Sequence, residues 1–245
     1  MESIGTIFNL ILTRPLFNGL IFLYDLIPDF GLAIILLTLL IRLILYPLNQ
    51  KAIKSQKALT DLQPKIKELQ VKYKGDRAKQ SQALMELYKT HNINPASGCL
   101  PWLIQLPVLF ALYQVFWHGL EPSRLDTLYS FVQRPETISP MFLGLVDLSS
   151  PNFILAILAG VFTYIQSKMM MTANPSPSAN ASGTPDFAAT LNKQMVYLMP
   201  FMTTFIAWNL PAGLALYWAA TTVFGIAQQY LVIRKKNNGT KPATA

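Results

Sequence analysis

The chain has 245 residues, of which 52% are hydrophobic and 13% are charged. A soluble domain carries roughly 25% charged residues, so this sequence has too little polar surface to cover a water-soluble domain of its size. The apolar content and the single cysteine exclude disordered, collagen-like and disulfide-rich classes. A net charge of +8 on such a chain indicates loops near anionic lipid before it indicates nucleic-acid binding.

The first segment, 1–30, predicts an N-terminal amphipathic helix that lies at the membrane interface. Apolar side chains recur there at helical spacing, at Ile4, Ile7, Phe8, Ile11 and Leu12. Pro15 and Pro28 interrupt the segment, and the apolar run 16–27 between them is compatible with a sixth membrane-embedded helix. The residues alone leave open whether this part lies on the membrane or enters it.

Five later stretches are apolar enough for membrane helices, which need about 20 mostly apolar residues each. We expect them at 31–50, 97–118, 151–171, 193–209 and 212–233. Asn209 and Pro211 separate the last two and are typical of a tight turn, so these helices should form an antiparallel hairpin. The predicted fold is therefore all-α, a polytopic membrane protein with a core of five transmembrane helices.

The polar segment 51–94 predicts a helical hairpin. Apolar residues repeat at steps of three and four on both sides of Lys74-Gly75-Asp76, as in two amphipathic helices joined by a glycine turn. Pro64 must lie in the first turn of a helix or kink it. The alternative is a solvated basic linker, which the regular spacing disfavours.

Charge is distributed unequally between the predicted loops. The segment 51–94 holds ten Lys/Arg and four Asp/Glu, whereas the segment 119–150 holds two Arg and four acids. Basic loops tend to stay in the cytoplasm, so we expect the hairpin, the flexible linker 172–192 and the basic tail 234–245 on that side. The segment 119–150 and the N-terminus are then outside.

Arg42 stands inside the first predicted membrane helix, where an arginine costs about 2.5–3.5 kcal/mol on insertion scales. None of the other predicted membrane helices contains Asp or Glu, so an ion pair within the membrane is not available. The guanidinium can reach the cytoplasmic headgroups by snorkelling. It can also face a water-filled cavity open to the cytoplasm, where an acidic segment of a substrate would become its partner.

Seven further polar or aromatic residues could share such a cavity. They are Thr38, Gln105, Asn209, Tyr217, Trp218, Thr221 and Gln228. Thr38 lies one helical turn before Arg42 and so on the same face. Hydrogen bonds between helices and aromatic anchoring at the interface are the alternative roles for such residues.

No catalytic constellation is present in the sequence. The chain has no GxxxxGK[ST], HExxH or GxSxG motif. His91 and His118 are too few and too far apart for a metal site of their own. We therefore expect no catalytic residue, no metal ligand and no cofactor, in a protein that is not an enzyme.

Several long runs of the sequence resemble the YidC family of membrane protein insertases. They are TLLIRLILYPLNQKAIKSQKAL, LQPKIKELQVKYKGD, LYKTHNINPASGCLPWLIQLPVLFALY and the late pattern LMPFMTTFIAWNLPAGLALYW followed by QQYLV. Together they extend from about Thr38 to Val232 in the family's order and spacing. The resemblance is to a short form of the family that lacks the large periplasmic domain.

The resemblance implies a five-helix core with a positively charged hydrophilic groove, open to the cytoplasm and the lipid. Arg42 matches the family's groove arginine, and Thr38, Gln105 and either Tyr217 or Trp218 match other groove positions. The implied function is a membrane protein insertase and chaperone, a multi-pass protein of the bacterial inner membrane. Its implied partners are nascent membrane proteins and lipids, with a Sec translocon and the ribosome as further candidates and no DNA. An intramembrane assembly chaperone without translocation activity, or a small channel or transporter, is the alternative.

Overall fold

The computed structural model describes residues 2–94, 100–118, 122–172 and 187–239, and most of them are helical. The α-helices are α1 (Glu2–Phe8), α2 (Arg14–Leu26), α3 (Phe30–Ile44), α4 (Tyr46–Asp61), α5 (Gln63–Lys72), α6 (Arg77–Thr90), α7 (Leu100–His118), α8 (Phe153–Thr172), α9 (Phe187–Trp208) and α10 (Ala212–Gly239). The remaining elements are a π-helical turn (Asn9–Thr13), a 3-10 helix (Pro122–Thr127) and two short paired strands, β1 (Met141–Phe142) and β2 (Val146–Asp147). The predicted all-α class is confirmed, with a small β-hairpin that the sequence did not indicate.

The N-terminal helix α2 lies against the connection between α7 and α8. The Asn18 carboxamide oxygen accepts a hydrogen bond from Tyr129 N at 2.6 Å. Two turns later, the Tyr24 hydroxyl oxygen accepts from Ser139 N at 3.0 Å. The stretch Gly5–Leu26 is long and apolar enough to cross a membrane, but these contacts hold α2 beside a predicted outer segment. The interfacial position predicted for this helix therefore stays a prediction.

Asp29 fixes the start of α3. Its Oδ1 accepts a hydrogen bond from Leu32 N at 2.8 Å, which satisfies one of the N–H groups that have no partner within a first helical turn. Its Oδ2 accepts from Leu143 N at 2.6 Å, in the turn of the β-hairpin. One carboxylate thus ties α3 to the connection between α7 and α8. The core between α3, α7 and α10 contains the buried side chains of Ile34, Leu112 and Leu214.

The stretch 31–50, predicted as one continuous helix, is divided between two helices in the structure. α3 ends at Ile44 and α4 begins at Tyr46, and the two helices are bent by 68° relative to each other. Pro47, in the first turn of α4, accounts for the break. Proline has no N–H to bond the carbonyl four residues earlier, and its ring collides with that carbonyl. α4 therefore leaves the axis of α3.

The segment 51–94 contains the later part of α4, followed by α5 and α6, so that the apolar repeat predicted as the first hairpin helix is divided between α4 and α5. Pro64 lies in the first turn of α5, where its missing N–H costs nothing. Gly75 has φ +99° in the turn between the helices, a conformation that L side chains rarely adopt. Lys65 Nζ of α5 lies 3.1 Å from His91 Nε2, just after α6. The two helices therefore pack side by side.

The connection between α7 and α8 and the turn between α9 and α10 lie at one end of the bundle. Ala212 N donates to the Ser150 carbonyl oxygen, and Gly213 N donates to the Leu148 carbonyl oxygen, both at 3.0 Å. Because α3 starts beside the same connection and ends at the bend, the bend and the hairpin lie toward the other end. The basic segment 51–94 and the acidic segment 119–150 thus lie toward opposite ends of the bundle.

The boundaries of the last two helices differ from those predicted. α9 begins at Phe187 rather than at 193, because the residues before 193 include alanines and a leucine, which favour helix. α10 continues to Gly239 rather than ending at 233, since no proline or glycine interrupts the chain between the two positions. Within the predicted linker and tail, residues 173–186 and 240–245 lie outside the described residues.

Among the residues that the structure describes, helix length and hydropathy identify the candidates for crossing a membrane. Gly5–Leu26 and Phe153–Met170 qualify, and α3 with α4 passes as a bent pair. Within α7 and α9, the described stretches Leu103–Trp117 and Val196–Trp208 are apolar but shorter. The number of five transmembrane helices therefore stays a prediction.

Candidate functional site

Arg42, near the C-terminal end of α3, is joined by hydrogen bonds to α7 and α10. Its Nη2 donates to Oε1 of Gln105 at 3.1 Å. Nε2 of Gln105 in turn donates to the Tyr217 hydroxyl at 2.6 Å. Three helices that are distant in sequence thus meet through one guanidinium, one carboxamide and one phenol. We call these three residues the Arg42 network.

The Arg42 network carries a positive charge that its own members do not neutralise. A guanidinium has five N–H donors, and the partner of Arg42 is the neutral amide of Gln105. Within the described part of the chain, no carboxylate pairs with Arg42. The side chain is half-buried, and the next two residues, Leu43 and Ile44, are exposed apolar side chains. A cation therefore lies between the helix interface and an apolar outer surface.

Thr38 lies one turn before Arg42 on α3 and is buried. Its hydroxyl donates to the Ile34 carbonyl oxygen at 2.6 Å, within its own helix. This bond satisfies the hydroxyl locally, so Thr38 lines the same face of the helix without bonding to the network.

One face of α10 extends the polar region from the network toward the bend. Tyr217, Thr221 and Gln228 follow one another at steps of four and seven residues, which places them on one side of a helix. Nε2 of Gln228 donates to the Tyr46 carbonyl oxygen at 3.0 Å. α10 is thereby attached to the first residue of α4, at the point where the chain bends.

Three buried polar atoms in this region have no hydrogen-bond partner among the described residues. They are Thr221 Oγ1, Gln228 Oε1 and Asn49 Nδ2. Buried polar atoms in proteins are nearly always hydrogen-bonded, to protein or to ordered water. Because these three atoms lie together along α4 and α10, this interface can offer hydrogen bonds to water or to a polar segment of another chain.

Two buried residues of α4 were not singled out from the sequence. Asn49 is 6% exposed and Lys57 is 8% exposed. Lys57 lies in the basic segment 51–94 and Asn49 just before it, and polar residues there are expected to be exposed. One feature of the sequence could have predicted the burial of Asn49. Asn49 and Ala52 are three residues apart and so share a helix face, in line with the apolar repeat of the preceding membrane helix.

The remaining candidates, Asn209 and Trp218, are not hydrogen-bonded to the network. Asn209 is exposed at the turn after α9, where its side-chain amide donates to the Phe205 carbonyl oxygen at 2.7 Å. Trp218 is half-buried, and its carbonyl oxygen accepts from Thr222 Oγ1 at 2.8 Å. Of the two aromatic residues that the sequence offered on α10, it is Tyr217 that contacts Gln105.

The part of the chain that the structure describes contains no group of three or more His, Cys, Asp or Glu side chains that could hold a metal ion. The chemistry available at the network is that of a fixed cation and neutral hydrogen-bonding groups. Such a set can attract and hydrate a polar segment without forming a covalent bond.

Comparison with known proteins assigns the family. The model of the family described as 60Kd inner membrane protein matches residues 22–240. The chain belongs to this family. The membrane protein insertase YidC of Geobacter sulfurreducens is 36% identical over 225 residues, and that of Syntrophus aciditrophicus is 39% identical over 223 residues. The resemblance to the YidC family is thereby confirmed.

The matches cover most of this chain but a minor part of the relatives. The alignments include 91% and 90% of this chain, and 37% and 36% of the relatives from Geobacter and Syntrophus. A solved structure described as an active YidC insertase with the first transmembrane domain resolved matches with a TM-score of 0.57 at 33% identity. That match covers 87% of this chain and 45% of the other. The chain thus spans less than half the length of these relatives.

Proposed function

We propose that this chain inserts membrane proteins into the lipid bilayer and helps them to fold, by way of a positively charged hydrophilic groove along the Arg42 network. The observation that carries the proposal is the half-buried guanidinium of Arg42, whose partner is a neutral amide. Membership of the 60Kd inner membrane protein family, and relatives named as insertases, support the same function.

The groove would act by lowering the cost of moving a polar segment partway into the bilayer. An unsatisfied polar group in hydrocarbon costs several kcal/mol. The amide of Gln105, the hydroxyl of Thr221 and the carboxamide of Gln228 supply hydrogen-bonding groups along the path. The apolar helix of the client would then leave toward the lipid because burial of its surface there is favourable.

Arg42 would attract acidic residues in the polar segment of a client. The attraction between opposite charges about 4 Å apart rises from about 1 kcal/mol in water to about 4 kcal/mol at a protein surface of effective dielectric constant 20. Since Arg42 is half-buried with no carboxylate partner among the described residues, a client carboxylate gains this interaction without displacing another acid. Selectivity for acidic segments follows.

The proposal includes a location in the bacterial inner membrane, with the N-terminus outside and the C-terminus in the cytoplasm. It is supported by the charge difference between the segments 51–94 and 119–150 and by their separation along the bundle. The groove would open to the cytoplasm on the side of the bend. Asn209 and Trp218 stay predicted members of its lining, and a Sec translocon and the ribosome stay predicted partners.

The test is insertion of a one-span client into liposomes that contain the full chain, read by protease protection of the client's N-terminal tail. Clients with acidic and neutral tails are compared for the wild type and Arg42→Ala. A hydrogen bond to a charged group is worth about 1.5–3 kcal/mol, and 1.4 kcal/mol is about tenfold in an equilibrium. We expect protection of the acidic tail to fall about tenfold and protection of the neutral tail to change much less.

The matched control is Arg77→Ala, which removes the same charge from the exposed surface of α6. It should insert both clients as the wild type does. Equal loss of both clients with Arg42→Ala would contradict the charge attraction while retaining the insertase. If the folded wild type protects no tail but still assembles inserted helices, the chain is an assembly chaperone and the proposed function is wrong.

A further inference from the structure

A second polar site lies beside α2, at the end of the bundle away from the bend. A shallow, solvent-open cavity of about 780 Å³ lies there between the N-terminal helices and the 3-10 helix. It is lined by Gly5, Thr6, Asn9, Leu10, Arg14, Asp126 and Thr127. Its volume is within the range of small-ligand sites. Asn9 and Leu10 belong to the π-helical turn, an uncommon geometry that occurs frequently at functional sites.

The guanidinium of Arg14 is held in place on the cavity wall. Its Nε donates to the Thr127 carbonyl oxygen at 2.9 Å, and its central carbon lies 5.1 Å from the ring centroid of Tyr129. These contacts fix the guanidinium plane through one nitrogen and one face. The two terminal amino groups make no hydrogen bond to the described residues. A fixed planar fork of this kind suits two oxygens of one phosphate group.

Asp126 places a negative charge on the same wall. Its Oδ1 accepts from Arg134 Nη1 at 2.7 Å, and its side chain is 69% exposed. The exposed carboxylate can therefore meet a ligand cation while it keeps its ion pair. A ligand that carries both a phosphate and an ammonium group matches the two charges of the wall, whereas a purely anionic ligand meets repulsion at Asp126.

An apolar ridge lies next to the cavity. Ile7, Leu10 and Ile11 are 55%, 59% and 66% exposed, and their spacing of three and four residues places them on one helix face. Exposed aliphatic side chains of a helix in contact with a membrane are suited to lipid acyl chains. The ridge and the charged wall therefore fit the two parts of one amphipathic molecule.

We propose that this cavity binds the headgroup of a phospholipid that carries a primary ammonium, with the phosphate on Arg14, the ammonium on Asp126 and the acyl chains along the ridge. The site differs from the Arg42 network in position and in ligand. It does not depend on insertase activity, since a protein of any function in the membrane could bind such a lipid. Its effect would be to anchor the N-terminal helices to one class of lipid.

The test is lipid retention by the purified full chain in detergent, measured by native mass spectrometry. The probes are phosphatidylethanolamine and phosphatidylglycerol with identical oleoyl chains. We expect the wild type to retain the ethanolamine lipid about threefold better, the effect of one exposed charge pair. Arg14→Gln should reduce retention of both lipids about tenfold, because it removes a charge-assisted phosphate contact. Asp126→Asn should abolish the preference and leave total retention high.

Arg134→Gln is the matched control, since it breaks the same ion pair as Asp126→Asn but keeps the carboxylate. It should retain the ethanolamine preference. The proposal is overturned if wild type and Asp126→Asn discriminate equally, or if Arg14→Gln, with wild-type helicity by circular dichroism, retains lipid as the wild type does. If Arg14→Gln fails to fold, the comparison of Asp126→Asn with Arg134→Gln still decides.

Discussion

Replacement of Gly160 by alanine should destabilise the packing of α8 on α9. A Cβ atom at this position would lie well inside van der Waals contact of Thr204 Oγ1, and 3.1 Å from the Pro200 carbonyl oxygen. The Thr204 hydroxyl already donates to that carbonyl at 3.0 Å. The added methyl therefore forces the threonine side chain to rotate, or the two helices to separate.

Three terms set the size of the effect of Gly160→Ala. Overpacking costs about 1–3 kcal/mol, and the loss of a hydrogen bond between groups in a membrane protein costs about 0.6 kcal/mol. Alanine in place of glycine stabilises the helix by about 1 kcal/mol, because alanine has the higher helix propensity. The net loss is about 0.6–2.6 kcal/mol, which corresponds to a fall of about 1–10 °C in Tm for a chain of this size.

The assay is thermal unfolding of the full chain in detergent, followed by circular dichroism. Gly5→Ala is the matched control, because nothing lies within 4 Å of its added Cβ, and it should leave the Tm unchanged or raise it. In a Thr204→Ala background the loss should shrink, since the remaining neighbours of the new Cβ are at 3.1 Å and 3.2 Å. A wild-type Tm for Gly160→Ala, or an undiminished loss in the double variant, would refute the close contact as the cause.

Two further predictions concern the network and the hairpin. Tyr217→Phe removes the acceptor of the Gln105 amide and should lower protection of the acidic tail about twofold to fivefold, because one hydrogen bond contributes about 0.5–1 kcal/mol. Combining Tyr217→Phe with Arg42→Ala should cause no loss beyond that of Arg42→Ala. An additive loss in the double variant would count against a shared network. The Lys79 N–H, which donates to Asp76 Oδ1 at 3.0 Å, and then the Lys79 side chain lower the pKa of Asp76. Because the folded pKa is below the unfolded value of about 3.9, this cap stabilises the start of α6 above about pH 4 and is lost as the pH falls through the folded pKa. Hydrogen exchange at the first turn of α6, corrected for intrinsic rates, should therefore be faster at pH 3 than at pH 7 in the wild type. The increase should be smaller in Asp76→Asn. An equal increase in both proteins would exclude protonation of Asp76 as its cause.

Two polar residues of the Arg42 network could be singled out from the sequence because each stands out in an apolar run. They are Arg42 and Gln105, and the structure joins them. The choice between Tyr217 and Trp218 was not predictable, since adjacent residues point about 100° apart and the rotation of α10 is fixed by its packing on other helices. Local periodicity carries no information on that rotation.

The burial of Asn49 and the β-hairpin could not be predicted for a related reason. Asn49 is buried because the chain bends by 68° and brings α4 to α10, and a proline in sequence marks a break without giving its direction. The strands have two residues each, too few for an alternating pattern. Their position depends on Asp29, which bonds to Leu143 across a long sequence distance.

The bend after Ile44 has a consequence for the surrounding bilayer. α3 has 15 residues, so at about 1.5 Å per residue its length is about 22 Å. The hydrocarbon core of a bilayer is about 30 Å thick, and a helix shorter than this is matched by thinner lipid or by flanking residues that reach the interface. A bilayer crossing by α3 alone would therefore leave a hydrophobic mismatch of about 8 Å at the helix that bears Arg42. Thinner lipid there would shorten the distance over which a polar segment lacks water, so helix length would assist transfer independently of charge.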